Sequence, residues 1–504
     1  MENNKARPEC EAVEIRCKNS SGAFIYENLH LQVFERKKAP EEASSSRPDV
    51  VVLLIDSMSH SQYIRSMRKT RDYLQFTLQS IEFPYVTKVA LNSRPNAYGF
   101  FITDEPIEKY ENKFGIYTTA DFKPKLCQVG LDNRDFIGFD FNRNGYVTLN
   151  NEDWQFGAFS WPGCKGFERP FTNHSNKPFI IRATGKDYKN SVYQRNLYQG
   201  VCKEGHQHML EYLKDFFAKY ESTPTFSLSW FTDLAHADPN ALFRVDGEFL
   251  EFFQKNSKKL ENSFVLLMGD HGNRINDIRT TKTGEREEKN PSLSIVLPQA
   301  IRHNEKLRNQ MKENAGKLVT HYDIYATLLE ISQNTYDSYN DQNFTLHQFS
   351  FPNRTLLGSS LFHRLPEPRN CLNLDVPLDY CFCEYKKRIF NDTKVIAQAG
   401  RLIVQRINKD LADSGLTSRC RELTLDESDL GNAWIFESGA KFGAQILKIK
   451  ISVRPGRGQY EGLLALEDGD QLTLLTQEFP RIDAYESHAY CVKFSLYRQY
   501  CHCK

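Results

Sequence analysis

The chain predicts an α/β fold, a mostly parallel sheet covered by helices, followed by a smaller α+β unit. Three observations predict it. Val50-Val51-Val52-Leu53-Leu54-Ile55 and Phe264-Val265-Leu266-Leu267-Met268 are unbroken apolar runs, the composition of parallel strands buried on both faces. Strand-like runs at 87–91, 226–231 and 293–297 alternate with helical patterns at Val245 to Leu260 and Asp323 to Ile331, as a helix-covered sheet requires. The composition then changes from about Lys394, after which Leu402-Ile403-Val404, Ile446 to Val453 and Leu472 to Leu475 read as strands of a second unit. The predicted organisation is a Cys-containing segment with a polar linker at 1–47, a main domain at 48–390 and a Cys-rich C-terminal domain at 391–504.

The two apolar runs also predict a site. One stops at Asp56-Ser57 and the other at Gly269-Asp270-His271-Gly272. Ligands of open α/β sheets bind beyond the carboxyl ends of such strands, so Asp56, Asp270 and His271 are expected at one edge. Two carboxylates and an imidazole form a donor set for a divalent metal, with Zn²⁺ suited to it and Ca²⁺, Mg²⁺ or Mn²⁺ as alternatives. An Asp after a strand is also a common helix N-cap, and Asp56 alone fits that equally. In Asn92-Ser93-Arg94-Pro95-Asn96 the proline suits the first turn of a helix. Ser93 then lies at a helix N-terminus, where free N–H groups and the positive dipole end favour an alkoxide and an anionic ester. The same serine reads as a plain capping residue.

Composition bounds the function. The chain has 504 residues, 40% hydrophobic, enough for one large core and a smaller domain. Lys+Arg is 65 against Asp+Glu 64, so no field is present to attract nucleic acid. No apolar run reaches the roughly 18 residues of a membrane span. Twelve cysteines, clustered near both ends, predict disulfides in an oxidising compartment. Cys381-x-Cys383 and Cys501-x-Cys503 are spaced more tightly than the usual zinc motif. Glycosylation sequons stand at Asn19, Asn173, Asn343, Asn353 and Asn391. Met1 to Glu11 has no apolar leader, so the expected extracellular or secretory-lumen location carries the expectation of a truncated sequence.

The order of motifs along most of the chain resembles the DUF229 family within the alkaline phosphatase and sulfatase superfamily. The residues that carry it are Asp56-Ser-Met-Ser59, Arg65-Ser-Met-Arg-Lys-Thr70, Asn92 to Asn96, Gly145-Tyr-Val-Thr148 with Glu152-Asp153, and Gly166-Phe167 before Pro170. Leu234-Ala-His236 with Asp246, Asp270 to Arg274, Gly284-Glu-Arg-Glu287 with Pro291, and the terminal cysteine segments complete it. The resemblance implies an alkaline phosphatase-like three-layer sandwich and metal-assisted phosphoryl or sulfuryl transfer, with Ser93 as nucleophile on a metal held by Asp56, Asp270 and His271. It implies a second metal at Asp233 and His236, with His321, or else His363, as a third ligand. Asn96, Arg274 and Lys282 are candidate substrate binders, as is Arg279. Three departures stand out: Ser93 where the family has Thr, Arg94 where an aromatic follows, and Met67-Arg68-Lys69-Thr70 for Met-Pro-Lys-Thr. The formylglycine sulfatase pattern ends in Pro-x-Arg, and Ser93-Arg-Pro95-Asn-Ala97 lacks that arginine, which favours phosphate over sulfate esters. The expected substrate is a phosphoester or sulfoester small molecule, or a glycan or lipid head group. A binding ectodomain without catalysis, a sulfatase and a phospho-headgroup transferase are the alternatives.

Overall fold

The computed structural model describes residues 8–35, 47–102, 108–114, 117–120, 127–185, 191–345, 349–352, 354–383, 386–437, 444–485 and 487–504. Asn353 and the predicted polar linker lie outside the described residues. A seven-stranded sheet organises the first domain. Its order is Ile81–Glu82, Leu293–Val296, Ser263–Gly269, Asp49–Ile55, Thr225–Phe231, Val147–Glu152 and His174–Ser175. The five strands from Ser263–Gly269 to His174–Ser175 run parallel, Leu293–Val296 pairs antiparallel to Ser263–Gly269, and Ile81–Glu82 pairs antiparallel to Leu293–Val296.

The apolar runs form the middle of this sheet because both faces are covered. Side chains alternate along a strand. Val50, Val52 and Leu54 therefore enter one core, with the helices Ser93–Phe101 and His321–Gln333. Val51, Leu53 and Ile55 enter the other, with Gly205–Lys219 and Ala241–Lys255. The result is an α/β/α sandwich around a mostly parallel central sheet. Register then sets the site. Ile55 stands level with Phe231 on one side and Gly269 on the other, and Trp230 with Glu152. The next residues, Asp56, Thr232, Asp270 and Asp153, emerge together at one edge.

The second unit is an antiparallel sheet built on Gln445–Arg454 and Gln459–Glu467. Its first strand, Lys387–Ile389, pairs with Ala433–Phe436. The expected strand at Leu402-Ile403-Val404 is instead part of the helix Thr393–Asp413. Val395, Ala399, Ile403, Ile407 and Leu411 lie on its buried side, a helical period stronger than the local β-branched run. Buried ion pairs join the domains. Arg279 NH2 donates to Glu461 Oε2 at 2.9 Å, and Lys448 Nζ donates to Glu285 at 2.7 Å.

Eight cysteines form four bridges: Cys127–Cys164, Cys371–Cys381, Cys420–Cys501 and Cys491–Cys503. Neither Cys-x-Cys pair is a closed thiolate site, since each bridged member has a partner elsewhere. Cys10, Cys17, Cys202 and Cys383 are free and exposed, so the N-terminal pair does not continue the disulfide pattern. Peptide mapping without reductant is expected to recover these four bridges; eight free thiols in protein made through a secretory route would contradict them. Asn19, Asn173, Asn343 and Asn391 are all exposed. Among the described residues no helix is long and apolar enough to cross a membrane.

Candidate active site

Asp56 follows its strand directly, and Ser57 then takes φ 64°. A left-handed serine costs of the order of 1–3 kcal/mol. The turn aims Ser57 N–H at Asp270 Oδ1, 3.0 Å away, and Ser57 Oγ at Asp56 Oδ1, 2.8 Å away. Across from it, a Cβ on Gly269 would lie 2.1 Å from the Met58 carbonyl, and one on Gly272 2.1 Å from that of Glu287. Only glycine permits both approaches.

The four central residues converge. Ligand atoms of Asp56, Asp270 and His271 lie within 4.8 Å of one another, and all three side chains are buried. Ser93 Oγ donates to Asp56 Oδ2 at 3.0 Å and lies 3.3 Å from His271 Nε2. His271 Nδ1–H donates to the Gly272 carbonyl at 2.8 Å, which leaves the Nε2 lone pair facing Ser93. Asp270 Oδ2 is buried with no hydrogen-bond partner. Burial pushes the Asp56 carboxyl up to about 6. Burial, and then the Asp56 charge, push Asp270 up to about 8. Burial holds His271 well below the usual imidazole value. Two crowded acids, an orphaned oxygen and an inward lone pair fit a divalent cation.

Ser93 is the first residue of its helix. The expected strand at 87–91 shrinks to Val86–Thr87, because the chain then bends around Asn96. Asn96 Oδ1 accepts from the Val89 and Ala90 amides, both at 3.1 Å, and Nδ2 donates to the Ala90 and Asn92 carbonyls at 3.0 and 2.9 Å. The amide expected to bind substrate is thus enclosed and holds the turn that carries Ser93. Asn96→Ala is expected to cost about 2–5 kcal/mol, from two buried amides left unpaired. It should also lower kcat more than it raises KM, although Asn96 does not line the cleft. Denaturant titration with steady-state kinetics checks both.

The second expected metal set does not assemble. Among the described residues, Asp233, His236 and His321 form no group of ligand atoms within 4.8 Å. His321 is buried behind the helix Ser93–Phe101, with Nδ1 on Asn96 Oδ1 at 3.1 Å and its ring 5.0 Å from that of Phe100. His363 Nε2 is bonded to Glu330 at 2.8 Å. His236 does line the cleft, and the Asp233 charge acts on both Asp56 and Asp153. Among the described residues only Asp56, Asp270 and His271 of the expected ligands form such a group. Arg274 also lines the cleft and has no ion-pair partner among the described residues. Lys282 is exposed and does not line it, and Arg279 is committed to the domain interface.

The cleft holds residues to which the sequence assigned no role. Glu152 lies in its wall, accepts from the Ala158 amide at 2.6 Å, and is pushed up to about 7 by burial. Trp154 and Trp161 form an aromatic wall, with ring centroids 5.2 Å apart. Tyr485, Leu496, Arg498 and Gln499 come from the C-terminal domain. A burial pattern or a motif could have singled out Glu152, but no local signal marks the C-terminal four.

No curated protein matches the chain. Among solved structures it is similar to the C-terminal periplasmic domain of EcEptC from Escherichia coli, in complex with Zn, at 12% identity and a TM-score of 0.39, over 66% of this chain and 90% of that one. It is also similar to the phosphonate monoester hydrolase of Agrobacterium radiobacter, at 11% identity and a TM-score of 0.42, over 85% and 89%. A third is the soluble domain of lipooligosaccharide phosphoethanolamine transferase A from Neisseria meningitidis, at 14% identity and a TM-score of 0.37, over 58% and 90%. The family model for proteins of unknown function DUF229 matches residues 1–429, and the chain belongs to the DUF229 family.

Proposed function

We propose that the protein is a metal-dependent hydrolase of phosphate esters, diesters in particular, with Ser93 as nucleophile. The convergence of Ser93 Oγ with Asp56, Asp270 and His271 at a buried sheet edge carries this reading. Asp56, Asp270 and His271 would hold the cation, Zn²⁺ by preference. When bound, it would lower the pKa of the serine hydroxyl and draw charge from the ester oxygens.

The chain's own groups do the rest. The Ser93 proton leaves along its hydrogen bond to Asp56 Oδ2. Ser93 Oγ bonds to phosphorus as the ester P–O bond opposite it breaks. The start of the Ser93–Phe101 helix, where Asn92 makes no side-chain cap, faces the anionic oxygens. Arg274 takes their charge. Glu152, holding a proton below about pH 7, gives it to the departing alkoxide. Water then attacks phosphorus as the P–Oγ bond to Ser93 breaks, its proton goes to Glu152, and Ser93 Oγ recovers its own from Asp56.

Turnover of a diester panel by purified protein, set beside matched sulfate esters, tests the reading; hydrolysis of the sulfate esters alone would overturn it. For an alkyl leaving group the rate is expected to fall as pH rises through about 7, since the acid role needs Glu152 protonated. In Glu152→Gln the alkyl ester should lose about 10²–10⁴-fold and a nitrophenyl ester far less. Equal losses for both esters would remove Glu152 from that role.

A further inference from the structure

The cleft is built by two domains, and the second contributes a cation that the chemistry above does not use. Arg498 begins a short turn, Arg498–Tyr500, that is anchored from below. The Gln499 carbonyl accepts from Tyr460 Oη at 2.8 Å, and the next residue, Cys501, is bridged to Cys420. The Arg498 guanidinium lies 4.4 Å from the centre of the Trp161 ring and 5.7 Å from that of Tyr485. Both rings line the cleft with it. Among the described residues no carboxylate pairs with Arg498. Stacking on an indole orients the planar guanidinium and leaves its N–H fork open.

Arg498 stands on the aromatic wall of the cleft with Trp154 and Trp161, and it comes from the C-terminal domain, whereas Asp56, Ser93 and Arg274 come from the first. Trp154 adds a buried indole N–H with no partner, a donor for an oxygen of a bound ring. A fixed, unpaired arginine beside ring faces matches a planar or ring-shaped group that carries its own anion.

We propose that Arg498 is a specificity residue that holds a second anionic group, on the alcohol portion of the ester whose phosphoryl group Ser93 attacks. The substrate class is then an ester of an anionic ring alcohol. The inference rests on the hydrolase reading for which part of the substrate is which, and its test separates the two.

The probes are methyl 4-carboxyphenyl phosphate and methyl 4-carbamoylphenyl phosphate, which differ in one charge. Wild-type kcat/KM is expected to favour the carboxylate by about tenfold or more, the scale of one charge-assisted contact, and chiefly through KM. In Arg498→Gln the ratio should fall to about one, and Arg498→Lys should restore part of it. Calorimetric binding of 4-carboxybenzylphosphonate and 4-carbamoylbenzylphosphonate gives a second readout that needs no turnover. A preference that disappears in Arg498→Gln in that binding, without turnover of either diester, would support Arg498 and sink the hydrolase reading. Turnover that depends on Ser93 but shows no preference, or a preference that persists in Arg498→Gln, would overturn the assignment of Arg498 and leave the hydrolase reading standing.

Discussion

Ser93→Ala is expected to abolish phosphodiester turnover by at least ~10³-fold while the protein stays folded. The side chain is half-buried, and its hydroxyl meets Asp56 Oδ2 and the edge of His271. Removing the hydroxyl loses one hydrogen bond to a crowded acid, about 1 kcal/mol or less. The helix it begins is held by the Asn96 clasp rather than by Ser93. A capping role and a nucleophilic role thus predict opposite results. A cap gives a small loss of stability with normal turnover, and a nucleophile gives the reverse. Thermal unfolding and kinetics on the same preparation decide between them.

Asp270→Asn is expected to remove the bound cation and with it at least ~10³-fold of activity. Its effect on the metal-free protein has the opposite sign. Asp270 and Asp56 are buried together, each pushed upward by burial and Asp270 further by its neighbour's charge. A neutral amide relieves that crowding. The metal-free variant should then match metal-free wild type or exceed it by about 0.5–2 kcal/mol, as when a functional site gives up stored repulsion. Unfolding of both proteins after chelation, with and without added Zn²⁺, measures this. Zn²⁺ should stabilise wild type and leave Asp270→Asn unchanged. Equal stabilisation of both would place the cation elsewhere.

Much of the site's frame was legible because buried parallel strands leave an unmistakable pattern. Val50 to Ile55 and Phe264 to Met268 are apolar on both faces, and their ends share one sheet edge whatever the loops do. Asp56, Asp270, His271 and Ser93 follow from that rule and from a helix start. What failed was local. The run at 87–91 has the composition of a strand, but the Asn96 side chain captures its amides. Leu402-Ile403-Val404 looks like a strand until the apolar spacing from Val395 to Leu411 is counted. His321 fits the spacing of a metal ligand, yet it packs against the back of the helix Ser93–Phe101. Arg498 and Tyr485 carry no sequence signal, because their place in the cleft comes from how one domain packs against the other. An even number of cysteines predicts a compartment, but geometry alone chooses the partners.

The most direct test is to stop turnover of a phosphodiester with acid and find the phosphoryl group by peptide mass. The expected result is one phosphoryl group, on the peptide containing Ser93, absent when Asp270→Asn is treated in the same way. A phosphoryl group on another residue, or steady turnover with none trapped under conditions where hydrolysis of the intermediate is slowed, would contradict a serine nucleophile at this metal site.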